Sequence, residues 1–170
     1  MSELFNTSRL CITDTKSYLT LNDQQYFLEQ VVEILSKQVV EQLPESFHHI
    51  YSLNEAKCWF DRMNNECRVL IVVLNKTSFI VGFIFVYECD KNEANIGYLL
   101  KASYWKQGLA KEMLTGFLNW NDLTGKYNNL LAGVSLKNMA SSNLLLNIGF
   151  SKVSNNDATV FYEYTRNACD

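Results

Sequence analysis

Proline is nearly missing from this chain. Pro44 is the only one in 170 residues, and the seven glycines are scattered without forming a run. No Gly/Ser linker, repeat or low-complexity tract marks a boundary, so residues 1–170 read as one domain. Long apolar runs are missing as well. A membrane-spanning helix needs about 20 apolar residues, whereas Val69–Leu74 and Phe79–Tyr87 are only strand-length. Met1–Arg9 carries an acidic residue and no apolar h-region, so no signal peptide is expected there. The five cysteines are odd in number and lack C-x-x-C spacing, which argues against both a disulfide framework and zinc. A reduced, cytoplasmic protein with buried single thiols and no metal is expected. An excess of positive charge is lacking too: 15 basic residues face 18 acidic ones, for a formal charge of -3 and a pI near 5.4. Without a basic run, nucleic acid is disfavoured as the direct ligand, and a cationic or amine-bearing partner fits better.

What the chain does have is core material. Apolar residues make up 48% and aromatics 13%, enough for a packed domain and too much for a disordered one. Arg9–Thr13 reads as a first strand. From Asp23, the residues Tyr26, Phe27, Val31, Ile34 and Leu35 recur at helical spacing, with Asn22 or Asp23 as cap. Glu45–Tyr51 is a loop carrying His48 and His49, and Ser52-Leu53-Asn54-Glu55 is a capping box opening a helix with Ala56, Trp59, Phe60 and Met63 on its apolar face. Val69–Leu74 and Phe79–Tyr87 form a hairpin about Asn75–Ser78, and Glu93–Leu100 is a further strand. Gly108–Trp120 is a helix facing the core with Leu109, Met113, Leu114, Phe117 and Leu118. A strand over Leu130–Val134, a helix over Met139–Asn147 and a hairpin of Phe150–Val153 with Thr159–Tyr164 complete the chain. This order predicts an α/β fold, a mostly antiparallel mixed sheet with one parallel strand–helix–strand unit and helices on both faces.

Two segments are placed where chemistry could occur. Trp105-Lys106-Gln107-Gly108-Leu109-Ala110 joins a strand to an amphipathic helix. A glycine and a small residue there let backbone N–H groups approach a phosphate at the positive end of the helix dipole, with Lys106 and Lys111 flanking it. The same glycine also reads as a plain turn residue. Neither a Walker A nor a G-x-G-x-x-G pattern occurs, which disfavours nucleotidases and Rossmann dehydrogenases. In Asn138-Met139-Ala140-Ser141, the amide and hydroxyl either cap a helix or face a ligand.

Taken together, Ile96-Gly97-Tyr98, Trp105-Lys106-Gln107-Gly108-Leu109-Ala110, Asn138-Met139-Ala140-Ser141 and Gly149-Phe150 resemble, in order and spacing, the GNAT acetyltransferase superfamily. The branch they resemble is that of the ribosomal-protein alanine and serine N-acetyltransferases, and Thr7-Ser8-Arg9-Leu10 is similar to its N-terminal strand. The resemblance spans nearly the whole chain. It implies that the backbone N–H groups of Gln107, Gly108, Leu109, Ala110 and Lys111 cradle the pyrophosphate of acetyl-CoA, with Lys106 beside them as a flanking cation. It implies that Tyr98, Leu99 and Leu100 pair with the pantetheine arm as an added strand, with a bulge aiming an N–H at the thioester oxygen. Asn138 would hold the pantetheine, and Ser141 would protonate the departing thiolate.

One position departs from the pattern. Members of that branch often carry Glu before Ile-Gly-Tyr, and here Asn95 stands there, unable to take a proton. Glu93, two residues back on the same strand face, or a chain of waters is expected to replace it. His48 and His49 read either as loop residues or as part of the acceptor site, and Glu163 as a solvent-facing residue or a further candidate. Free-amine populations bear on the missing base. An α-amine has a pKa of about 7.7–8.0 and lysine about 10.4, so at neutral pH roughly a tenth of the former is free but under a thousandth of the latter.

The expected activity is therefore N-acetyl transfer from acetyl-CoA to a primary amine, foremost a peptide α-amine. The amine would attack directly in a ternary complex, since no cysteine is evidently activated. Acceptors such as polyamines, amino acids or aminoglycosides are the alternative, and a non-catalytic acyl-CoA-binding module is another. The expected partners are acetyl-CoA and the amine, with no membrane or nucleic acid, in a monomer or homodimer.

Overall fold

The computed structural model describes residues 3–77 and 79–166, so Ser78 of the expected turn and Cys169 lie outside the described residues. One sheet contains β1 (Glu3–Asn6), β2 (Leu10–Asp14), β3 (Arg68–Leu74), β4 (Ile80–Glu88), β5 (Glu93–Leu100), β6 (Asn129–Ser135), β7 (Ser151–Asn155) and β8 (Thr159–Thr165). Their spatial order is β1-β2-β3-β4-β5-β6-β8-β7. All neighbours are antiparallel except β5 and β6. The helices are α1 (Thr15–Leu21), α2 (Gln24–Ile34), α3 (Lys37–Val40), α4 (Leu53–Glu66), α5 (Leu109–Thr124) and α6 (Met139–Asn147). The expected α/β class and its single parallel pair are thus present. No helix among the described residues is long and apolar enough to cross a membrane.

Local signals account for most boundaries. Asp23 rather than Asn22 caps α2, accepting from the Tyr26 N–H at 2.9 Å. The capping box of α4 forms as expected, with Ser52 and Glu55 satisfying each other's backbone N–H groups. Helix α5 runs to Thr124, four residues past the expected end at Trp120. It stops at Gly125, whose left-handed φ of 63° lets its N–H bond to the Asn121 carbonyl.

Three elements were not expected: β1, α1, and α3, which is set off from α2 within the stretch expected as one helix. β1 is four residues at the sheet edge, and Phe5 stacks on Trp120 of α5 with ring centroids 6.3 Å apart. That partner is far away in sequence, so no local pattern announces the strand. α1 is rich in hydroxyl residues with weak helix propensity. It is held by the Asp14 cap on Ser17 N–H at 2.7 Å and by burial of Tyr18. The expectation of buried thiols needs correcting: Cys11 and Cys67 are buried, but Cys58 and Cys89 are exposed.

The helices divide between the two faces. α5 and α6 cover one, packing Leu114, Phe117 and Leu145 against Ile84, Ile96 and Leu130. α1–α4 cover the other, where Phe27, Trp59 and Phe60 meet Phe83, Phe85 and Leu99. This second cluster takes strand residues from β3, β4 and β5 and none from β6, β7 or β8. Half of that face stays uncovered, and the cleft described next opens there.

Candidate active site

The parallel pair is short. β5 and β6 are in register at Glu93↔Asn129, Ala94↔Leu130 and Asn95↔Leu131, and there the pairing ends. Each strand nevertheless keeps its outer partner, β5 pairing with β4 up to Leu100 and β6 with β8 up to Ser135. The two strands therefore splay like a V. Lys101 N–H bonds the Val81 carbonyl and Cys89 N–H the Glu93 carbonyl, which turns the odd-numbered backbone groups of β5 toward β4. The even-numbered groups face the gap. Leu136 N–H bonds Ala158 O, so on β6 the odd-numbered groups face it. Tyr98 and Gly133 thus turn backbone N–H and C=O groups toward each other across a gap too wide for a ladder.

This narrows the expected pantetheine contacts. Leu99 spends its backbone on β4, and the Leu100 carbonyl is taken by the Trp105 indole N–H at 2.8 Å. Of the three residues, Tyr98 alone presents both backbone groups to the gap. The expected bulge is absent, because the β4–β5 register runs unbroken from Glu88↔Ala94 to Gly82↔Leu100. Divergence of β5 from β6, rather than a bulge, directs the Tyr98 N–H into the gap.

Around the gap lies a cleft of about 980 Å³. Tyr98, Gly133, Asn138 and Ser141 line it, with Phe85, Tyr87 and Asn95 on the face covered by α1–α4. Asn138 caps α6, its Oδ1 accepting the Ser141 N–H at 3.1 Å, which leaves its Nδ2 for other partners. Both readings of this residue are therefore compatible in one side chain. Tyr98 Oη is buried and without a hydrogen-bond partner among the described residues. Burial pushes its pKa up, while the nearby Ser141 hydroxyl acts in the opposite direction. An apolar-walled gap with two unpaired strand edges and an orphaned hydroxyl fits an extended, amide-bearing chain such as pantetheine.

The turn before α5 lies apart from this cleft. Gly108 and Lys111 line a separate groove of about 680 Å³ between β1 and α5. Lys106 and Gly108 are both left-handed, at φ 58° and 76°, and no side chain caps α5. Its first N–H groups are thus left for an external acceptor, as a phosphate site requires. Leu109 is buried and holds the helix start in the core. Lys106, Gln107, Leu109 and Ala110 line neither cavity, so any part they take in holding a phosphate is through backbone or at the rim.

Arg9, which the sequence did not single out, braces the turn before α5. Its Nη1 donates to the Gln107 carbonyl at 3.0 Å and its Nε pairs with Glu112 Oε2 at 2.6 Å. Glu112 also accepts from the Thr7 hydroxyl at 2.6 Å and the Arg9 N–H at 2.7 Å. Thr7-Ser8-Arg9-Leu10 hinted at the strand, but nothing in the sequence links Arg9 to a glutamate 103 positions away. Burial works to raise the Glu112 pKa, yet the bonds from Thr7 and Arg9, with the Arg9 charge, hold it below its ordinary 4.5. A depressed carboxylate stabilises the fold above its unfolded pKa and loses that contribution as pH falls through the folded value. Glu112→Gln should therefore cost about 1–2 kcal/mol at neutral pH. Urea unfolding should find the difference from wild type shrinking as pH falls below the ordinary carboxylate value.

The candidate bases are placed as follows. The Glu93 carboxylate accepts from Asn129 Nδ2 at 2.9 Å at the paired end of β5, outside the cleft lining. Asn95 does line the cleft, donating to Cys89 Sγ at 3.2 Å. The His48 ring bonds the Leu43 carbonyl at 3.0 Å, and exposed His49 faces Tyr51. Neither histidine lines the cleft, although Glu41–Pro44 and Phe47 of the same segment do. Glu163 sits on β8 opposite Leu131, also outside the lining. The carboxylates that do line it are Glu41 and Asp157, which the sequence did not single out.

An uncharacterized, SPbeta prophage-derived N-acetyltransferase of Bacillus subtilis, YokL, is 27% identical over 110 residues, 64% of this chain. The match spans only 62% of that relative. Among solved structures, RimL, a ribosomal L7/L12 α-N-protein acetyltransferase in complex with coenzyme A, superposes with a TM-score of 0.79 at 12% identity, covering 99% of this chain and 100% of its own. A GNAT-family acetyltransferase from Bacillus anthracis gives 0.76 at 17% identity, covering 94% and 96%. At these identities the structural likeness speaks to the fold. The family model of the acetyltransferase (GNAT) domain matches residues 19–151, and the chain belongs to that family.

Proposed function

We propose that this protein transfers the acetyl group of acetyl-CoA to a primary amine, and that the preferred amine is a peptide N-terminal α-amine. The observation that carries the reading is the splay of β5 from β6, which aims the Tyr98 and Gly133 backbones at a gap bordered by Asn138 and Ser141. Pantetheine laid in that gap satisfies strand edges that otherwise lack partners. The left-handed turn at Lys106 and Gly108 and the uncapped start of α5 supply N–H groups for the pyrophosphate. Asn138 Nδ2, not used in capping α6, is the donor this reading assigns to the pantetheine amide, and Ser141 is the acid it assigns to the departing sulfur. The amine attacks the thioester carbon directly, the C–S bond breaks, and the thiolate takes a proton as coenzyme A leaves.

The acceptor preference follows from the base. No carboxylate of β5 reaches the cleft, and Asn95 cannot take a proton. An α-amine needs little help at neutral pH, whereas a lysine amine needs a base. Glu41 and Asp157 at the cleft favour a cationic partner approaching it. Thiol release should be measured with a peptide bearing a free N-terminus and with the same peptide N-terminally blocked and carrying lysine. Faster turnover of the free N-terminus is expected, and faster lysine acetylation overturns the preference. Tight coenzyme A binding with no turnover on any peptide, polyamine or aminoglycoside would instead identify a non-catalytic acyl-CoA-binding module. Ser141→Ala is expected to lower kcat about tenfold while changing the coenzyme A Kd less than twofold. Unchanged turnover would remove Ser141 from the reaction.

A further inference from the structure

A serine hydroxyl is a poor acid for a thiolate. Its acidity is close to that of water, about 15.7, whereas a thiol such as that of coenzyme A lies near 8.5. Ser141 acting alone would give up its proton against a gap of about seven pKa units. A better acid lines the same cleft. Three side-chain polar atoms among the described residues are buried without a partner: Trp59 Nε1, Tyr98 Oη and Arg166 Nε. Of these residues, only Tyr98 lines the cleft. A buried hydroxyl left unpaired is costly and is expected to have a use.

We propose that Tyr98 is the proton source for the departing thiolate and that its proton travels through the Ser141 hydroxyl. This rests on the acetyltransferase reading above. The Tyr98 hydroxyl is shielded from solvent, whereas Ser141 is only partly buried, and both line the same cleft, which makes Ser141 the relay this proposal assigns between Tyr98 and the sulfur. In the step, the Ser141 Oγ–H passes to sulfur as the C–S bond breaks, and the Tyr98 Oη–H passes to Ser141. A neutral serine is left donating to a tyrosinate, which regains its proton from the one the acylated nitrogen releases. No further reagent is needed. Tyr98 is then a positioning residue that sets the acidity of Ser141.

The surroundings agree. Ile84 lies opposite Tyr98 on β4, and Ile96 and Leu100 share its face of β5. The other charged or titratable side chains lining the cleft are Glu41, Tyr87, Lys137 and Asp157. Burial keeps the phenol protonated at neutral pH, and the Ser141 hydroxyl favours its ionised form, as a hydrogen-bond donor beside a tyrosinate should.

The test uses the full chain. Tyr98→Phe should lower kcat at least tenfold with KM for acetyl-CoA within twofold. Incorporating a difluorotyrosine at position 98 keeps the hydroxyl and makes it more acidic, so the alkaline limb of kcat should move to lower pH by about one unit or more. A third reading needs no turnover. In ligand-free protein carrying ring-labelled tyrosine, Ser141→Ala should raise the NMR titration midpoint of Tyr98. Turnover by Tyr98→Phe within twofold of wild type overturns the proposal, as does an unmoved alkaline limb or an unchanged midpoint. If wild type binds coenzyme A but acetylates nothing, the acetyltransferase reading has failed, and the midpoint still decides whether the two hydroxyls are linked.

Discussion

Gly108→Glu is expected to weaken coenzyme A binding by at least a hundredfold while the protein still folds. Gly108 caps α5 at φ 76°, a conformation that costs a side-chain-bearing residue about 1–2 kcal/mol. Space is not the obstacle: a Cβ built there meets only Arg9 Nη2, at an ordinary 3.6 Å. The carboxylate is the obstacle. It would stand at the first free N–H groups of the helix, where the positive end of the dipole otherwise receives the pyrophosphate. It would also draw Arg9 away from the Gln107 carbonyl and from Glu112. Gly108→Ala separates the two effects, because it carries the conformational cost without the charge. Calorimetry should show the alanine variant binding within about tenfold of wild type, with the glutamate variant giving no measurable heat. Comparable affinities for both would mean that the turn does not receive a phosphate.

Sequence legibility followed the range of each physical signal. The bounds of β5 and α6 match their expectations, and the capping box of α4 is formed, because alternation, periodicity and caps act over a few residues. β1 escaped because Phe5 has its partner in Trp120, which only the folded chain brings near. The site divides in the same way. Asn138 and Ser141 were legible as a spaced pair, and Gly108 as a glycine at a strand–helix junction. The left-handed Lys106 was not, since a lysine carries no local mark of positive φ. Arg9 and Glu112 required the β1–β2 turn to fold onto α5. Glu93 marks the limit of alternation as a signal. Its strand face was read from alternation, but alternation says nothing about position along a strand, and Glu93 sits at the closed end of the V, bonded to Asn129.

The open end of that V depends on a second glycine, and Gly82→Ala should be the most destabilising small substitution in the sheet. Its φ is not in the left-handed region, so the constraint is steric rather than conformational. A Cβ at Gly82 would lie 2.2 Å from the Leu99 carbonyl oxygen, 2.7 Å from Leu100 Cδ2 and 3.1 Å from Leu100 Cα. Two of these three atoms are backbone, and no rotamer change relieves a backbone clash. β5 must shift where it pairs with Gly82 at Leu100, beside the Lys101 N–H bond to Val81 and the Trp105 bond to Leu100. Overpacking of this kind costs about 3 kcal/mol, which for a chain of this size lowers Tm by roughly 6–12 °C. Gly97→Ala is the control, since its Cβ would meet Phe85 at an ordinary 3.7 Å and should leave Tm nearly unchanged. Because Tyr98 is next to the displaced residues, Gly82→Ala should also raise KM for acetyl-CoA below its lowered Tm. A wild-type Tm and KM would mean that β5 is pliable at Leu99–Leu100, and the gap facing Tyr98 would then be set by β6 rather than by the β4–β5 pairing.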